Sequence, residues 1–114
     1  MTLFHSTSSA FTAHAGLCLT DSTRAVYGTR RYEVELTLSG LTVRRIEVST
    51  QDRDDNNWPG DTTTSLEALA ADGIDVVVYA DEDDQGRQHN TYRLVTPAAV
   101  AAVASFSDVT EDEE

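Results

Sequence analysis

Leu3-Phe4-His5-Ser6-Thr7 is a short apolar run closed by an imidazole and two hydroxyls. The run predicts a strand, and a strand end carrying such groups is a place where ligands are commonly held. Working outward, Gly16-Leu17-Cys18-Leu19-Thr20-Asp21 gives a second apolar run, with a short strand over Leu17 to Thr20. Asp21-Ser22-Thr23 then opens a short helix to about Tyr27, with Asp21 as N-cap and Gly28 as its end. Between the two runs, Ser6 to Ala15 is rich in Ser, Thr and Ala and reads as a loop. Cys18 reads as a small buried hydrophobe.

Further along, Tyr32, Val34, Leu36 and Leu38 alternate with Glu33, Glu35 and Thr37, which predicts a strand with one buried and one wet face. Ser39-Gly40 is a turn signal, so Leu41 to Val48 is expected to pair back as a hairpin. Its apolar phase shifts across Arg44-Arg45, as at a β-bulge. Both arginines are expected to face Glu33 and Glu35 across that hairpin. Thr50 to Asp61 reads as a polar loop whose Trp58 folds back onto the core. Its Asp-Asn run resembles a calcium loop but lacks the Gly and the terminal Glu, so no metal site is expected. Thr64-Ser65-Leu66-Glu67 fits a capping box opening a helix to about Ala71, closed by Asp72-Gly73. Ile74 to Ala80 is apolar on both faces, which predicts a central strand. Asp81 to Asn90 is an acidic turn, Thr91 to Val95 the last strand, and Pro97 begins a helix over Ala98 to Ala104.

At 114 residues the chain holds one domain with a modest core, placed at residues 1–104, and an acidic tail at residues 105–114 expected to be disordered. No run reaches the roughly 20 apolar residues that span a bilayer, and the N-terminus lacks the basic and apolar regions of a secretory signal. One cysteine excludes an internal disulfide. These features point to a cytoplasmic protein, and to no membrane partner. There are 20 acidic and 8 basic residues, a formal net charge of -12, and every basic residue is Arg. Such a surface repels nucleic acid and suits a basic protein surface instead.

The order of these pieces resembles the ADP-ribosyltransferase fold. Its members often begin with a strand ending in His-x-Thr, matched here by His5 and Thr7. A glycine-led strand follows, matched by Gly16 to Thr20, and then a helix with Ala-x-x-Tyr, matched loosely by Ala25 and Tyr27. Later, Gly73-Ile74-Asp75-Val76-Val77-Val78-Tyr79 and Thr91-Tyr92-Arg93-Leu94-Val95-Thr96-Pro97 are similar to the family's Gly-x-Asp-x-Val-Val strand and its final strand leading to Pro. Together the matches span roughly residues 3 to 100, and the chain looks most like the compact phage-encoded members, including an anti-CRISPR one. The resemblance implies an α+β domain, a small split antiparallel sheet with short helices. It implies NAD as substrate, with His5 and Thr7 on its ribose, Tyr27 or Tyr79 offering a ring, and Arg24 and Arg30 on its pyrophosphate.

Two departures matter. The family's stacking aromatic in the second strand is replaced by Cys18 or Leu19. The glutamate that stabilises the oxocarbenium-like transition state is replaced by Thr91, so the expected substitutes are Asp81, Glu82 or Asp84 on the adjacent turn. Charge stabilisation of this kind is usually the largest catalytic contribution, which makes the replacement consequential. The catalytic set implied is therefore His5 with Asp81, Glu82 or Asp84. Two functions follow from the resemblance. One is an enzyme that uses NAD to modify a host macromolecule in counter-defence. The other is the same scaffold without NAD chemistry, an acidic inhibitor of a basic, nucleic-acid-binding host protein, while an antitoxin-like or structural interaction domain is a third, plainer reading.

Overall fold

The computed structural model describes residues 1–7, 11–21, 30–55, 57–82 and 88–109, with the backbone alone at Glu82. Among these described residues ten elements follow in order: β1 (Thr2–Thr7), β2 (Cys18–Thr20), β3 (Arg30–Leu36), β4 (Val43–Arg45), α1 (Thr50–Asp54), α2 (Thr63–Ala71), β5 (Val76–Glu82), β6 (Gln88–Leu94), α3 (Pro97–Ala101) and β7 (Val103–Asp108). The strands form one mixed sheet in the order β4-β5-β6-β2-β1-β3-β7. The domain is α+β, with short helices.

Alternation decides which side of the sheet each residue faces. Leu3 on β1, Leu19 on β2, Tyr32, Val34 and Leu36 on β3, Val76 and Val78 on β5 and Leu94 on β6 make one buried cluster. Phe11, from the loop after β1, joins it and packs on Tyr32 and Phe106 with centroids 5.5 and 4.5 Å apart. The opposite face of β5 buries Val77 and Tyr79 with Ile74 and Val95, against Trp58 and against Leu66 and Leu69 of α2. Apolar burial on both faces is why Val76 to Tyr79 reads as a continuous hydrophobic run.

Several expectations need correction. Leu41 to Val48 does not pair back on β3, because β3 already has β1 on one side and β7 on the other. β4 instead runs parallel to β5, with Val43 opposite Val76 and Arg45 opposite Val78, and α1 and α2 form the crossover that a parallel pair requires. Asp75 fixes that docking: its carboxylate accepts from the Thr42 backbone N–H (2.8 Å) and from the Thr96 hydroxyl (2.7 Å). These two bonds hold the Asp75 carboxyl below the usual carboxylate range. The bulge expected near Arg44-Arg45 is absent from the described ladder there. A register shift lies between Glu35 and Leu36 where β3 meets β7. Arg45 meets Glu47 and Asn90 rather than Glu33 or Glu35, and Glu35 binds the N-terminal ammonium at 2.7 Å.

Inside the polar loop, Thr50–Asp54 forms α1, capped by Ser49. The capping residue of α2 is Thr62, whose hydroxyl accepts from the Ser65 N–H, so the helix starts ahead of the expected box. The strand expected over Thr91 to Val95 is the later part of β6, which runs from Gln88 to Leu94 and is not the last strand. Val103–Asp108 forms β7, so the segment from Ser105 to Asp108 is sheet and not tail. The helix expected after Asp21 lies outside the described residues.

Candidate functional site

β1 and β2 pair at a single described register position, Phe4 with Thr20. Elsewhere each is bonded firmly to its outer neighbour, β1 to β3 over Thr2 to Thr7 and β2 to β6 over Cys18 to Thr20. Beyond Phe4 the two strands therefore part, and a cavity of about 210 Å³ opens beside the gap. His5 spans the parting: its ring Nδ1 lies 2.8 Å from the Cys18 carbonyl oxygen. A carbonyl can only accept, so Nδ1 carries the proton and the neutral ring keeps its lone pair on Nε2. Burial lowers the His5 pKa below its ordinary value of 6.5; the bond to Cys18 opposes this, and the charge of His14 adds to it. The ring is thus a neutral acceptor near pH 7.

The rest of the lining is a grid set by strand register. On β6, His89, Thr91 and Arg93 are alternate residues and share a face. Asp81 and Tyr79 of β5 stand directly opposite His89 and Thr91. Thr20 and Cys18 of β2 stand opposite Thr91 and Arg93 on the other side. All of these, with Ser6 and Trp58, line the cavity. Directly opposed residues bring their Cβ atoms to about 5 Å, close enough for their side chains to act together.

One end of the cavity is tightly built. Arg93, with its side chain 11% exposed, donates from Nε to the Cys18 sulfur (3.0 Å) and from Nη1 to the Pro59 carbonyl (2.8 Å), and Asp61 lies 3.9 Å from Nη1. Gly60 (φ 79°) makes this approach possible, since a Cβ there would sit 2.7 Å from Arg93 Cδ. Trp58 stacks on Tyr79 with centroids 5.5 Å apart and 21° between planes. Burial, reinforced by the neighbouring Cys18, pushes the Tyr79 hydroxyl's pKa well up, so it remains a neutral donor. At the hairpin end, His89 is 7% exposed, and neither ring nitrogen meets a hydrogen-bonding partner among the described residues.

Of the residues singled out from the sequence, His5 and Asp81 line this cavity, together with Thr91 and Tyr79. Thr7 lies at the end of β1 opposite Arg30, outside the lining. Arg30 is exposed, 3.9 Å from Asp108, and does not reach the cavity. Arg24, Tyr27 and Asp84 lie outside the described residues, as does the side chain of Glu82. Cys18 is half-buried and accepts from a guanidinium, so it is more than the apolar filler expected. Sequence reasoning missed His89, Arg93 and the cavity role of Trp58. The available signal was the alternation His89, Thr91, Arg93, a polar set facing away from Tyr92 and Leu94.

Among the described residues no three His, Cys, Asp or Glu side chains group as a metal site, and no helix is long and apolar enough to cross a membrane. No protein-family model, curated protein or solved structure matches this chain.

Proposed function

We propose that the cavity receives the nicotinamide and adjoining ribose of NAD and that the chain is an ADP-ribosyltransferase-like protein of the compact phage type, modifying a host macromolecule in counter-defence. The observation that carries this reading is that His5 and Thr91, 86 positions apart in the sequence, line one cavity beside the parting of β1 and β2. At about 210 Å³ the space is smaller than the roughly 300 Å³ at which pockets for drug-sized ligands begin. That volume suits the reacting end of a dinucleotide, with the remainder lying along the surface.

The residues fit that group. His5 accepts a ribose hydroxyl at Nε2 while the Cys18 carbonyl holds its ring in place. The Trp58–Tyr79 stack supplies an aromatic wall suited to a cationic ring. Asp81 supplies the negative charge that Thr91 lacks, next to the carbon that becomes electron-poor as nicotinamide departs. Bound NAD supplies an activated glycosidic bond; the protein orients it and balances charge.

A second reading rests on the acid excess. Arg93 is already satisfied within the protein and Arg30 and Arg45 face carboxylates, which leaves the net charge of -12 to dominate the surface. That surface suits an inhibitor that occupies the basic groove of a nucleic-acid-binding host protein. Incubation with labelled NAD and host lysate separates the two. Label transfer that His5→Ala abolishes supports the enzyme; NAD neither bound nor consumed by the wild-type chain removes it and leaves the inhibitor.

A further inference from the structure

We propose that His89 is the base that deprotonates the acceptor in this cavity, and that the acceptor is therefore a hydroxyl group; the inference rests on the NAD reading above. His89 is more than nine-tenths buried, lines the cavity, and has both ring nitrogens without partners among the described residues. A buried imidazole left unpaired costs free energy that a purely structural side chain would avoid, so such a group is better explained by a ligand that completes it. Asp81 stands directly across from it on β5. Four residues of strand, about 13 Å, separate His89 from Arg93. The cavity thus has aromatic and guanidinium groups at one end and an imidazole toward the hairpin end, the position proposed for the second reactant.

The acceptor's class follows from this chemistry. A carboxylate acceptor is already anionic and needs no base. A hydroxyl needs one, and a neutral imidazole has the right strength near pH 7. In the step, an imidazole nitrogen of His89 takes the hydroxyl proton as that oxygen bonds to the ribose C1′. The C1′–N bond to nicotinamide breaks, its electron pair stays with the departing ring, and nicotinamide leaves neutral. His89 then returns the proton to solvent. Asp81 stabilises the imidazolium in the interval.

The titratable and charged groups sharing the cavity with His89 are Asp81 and Tyr79 on β5, Arg93 on β6, Cys18 on β2 and His5 on β1. His5 shares the cavity, so the test compares variants at His89. Wild type, His89→Gln and His89→Ala are first checked for folding by thermal melting. NAD affinity is then measured by calorimetry, imidazole signals by NMR with and without NAD, and nicotinamide release across pH 5 to 8. The expected results are unchanged NAD affinity in His89→Gln and a His89 ring signal that shifts when NAD is added to wild type. Release should fall on the order of 10²- to 10⁴-fold, with partial rescue of His89→Ala by free imidazole. Labelled host target should survive neutral hydroxylamine, as a hydroxyl linkage does. Equal release by His89→Gln, a loss in His89→Ala that free imidazole does not rescue, or a hydroxylamine-labile linkage overturns the inference while leaving the NAD reading standing. Failure of the wild-type chain to bind NAD overturns both.

Discussion

A single hydrogen bond fixes what His5 can do. Because Nδ1–H is committed to the Cys18 carbonyl, the ring presents an acceptor at Nε2, and burial, which outweighs the opposing effect of that bond, makes the ring resist protonation. The consequence for stability has a definite sign. The folded-state pKa lies below the unfolded value, so in acid the unfolded chain binds the extra proton and gains over the folded one. The stability tied to a neutral His5 is therefore complete above pH 6.5 and is lost as pH falls through the lowered folded value. His5→Gln should remove that part of the acid sensitivity. Urea midpoints at pH 7 and pH 5 should differ less in the variant than in wild type. At pH 7 the variant should be about 1 kcal/mol less stable, from the bond to Cys18. Parallel curves for the two proteins would show that His5 takes no part in the pH response. From the sequence, His5 was legible because it closes an apolar run. The bond that sets its tautomer was not, since Cys18 meets it only through the parting of two strands.

At the scale of elements, alternation made β3 readable from Tyr32 to Leu36, and the unbroken apolar run from Val76 to Tyr79 made β5 readable as a strand buried on both faces. What alternation cannot tell is which edge a strand will use. β4 has three exposed residues and no pattern of its own; its place beside β5 depends on the Asp75 bonds to Thr42 and Thr96 and on the helical crossover. β7 was hidden for a related reason: Phe106 is its one large apolar side chain, 53% exposed, and its partners Phe11 and Tyr32 are distant in sequence. His89 sits between Gln88 and Asn90 just after an acidic stretch of sequence, and only its phase with Thr91 and Arg93 marks it as facing the cavity. The Trp58–Asp61 turn offers a direct test of how tightly that cavity is built. Gly60 and Gly73 have nearly equal positive φ, 79° and 78°, so alanine at either suffers similar backbone strain, about 1 kcal/mol. Only at Gly60 would the added methyl also meet Arg93 Cδ, at 2.7 Å, and Leu66 Cδ2, at 3.1 Å. Gly60→Ala should therefore be the more destabilising, by a further 1 kcal/mol or more on the order expected for overpacking. It should also loosen Arg93 from the Cys18 sulfur, raising the rate at which a thiol reagent labels Cys18. Equal denaturation midpoints for the two variants would mean that the turn yields freely.

For the whole molecule, the net charge of -12 acts on both readings, and in opposite directions. NAD carries a net negative charge through its diphosphate, so the protein's field opposes its approach. Salt screens that field over about 10 Å at 0.1 M and should tighten NAD binding as ionic strength rises from low values. A basic protein is attracted by the same field, and salt should weaken its binding and slow its association. The sign of the salt dependence therefore distinguishes a nucleotide in the cavity from a basic surface on the outside. Truncation sharpens the contrast if the cut respects the sheet. Ending the chain after Val109 removes Glu111, Asp112, Glu113 and Glu114 and changes the formal charge from -12 to -8. It keeps the Tyr32–Asp108 and Glu33–Ser107 pairs and the bond from the Val109 N–H to the Arg31 carbonyl. Its melting temperature should stay close to that of the full chain, whereas a cut before Ser107 loses those pairs and should melt lower. In low salt the chain ending at Val109 should bind NAD more tightly than the full chain and a basic partner less tightly, with both differences vanishing in high salt. If truncation and salt leave NAD binding unmoved while any basic partner is lost, the acidic surface exists for that partner, and the cavity's ligand is recognised by short-range contacts alone.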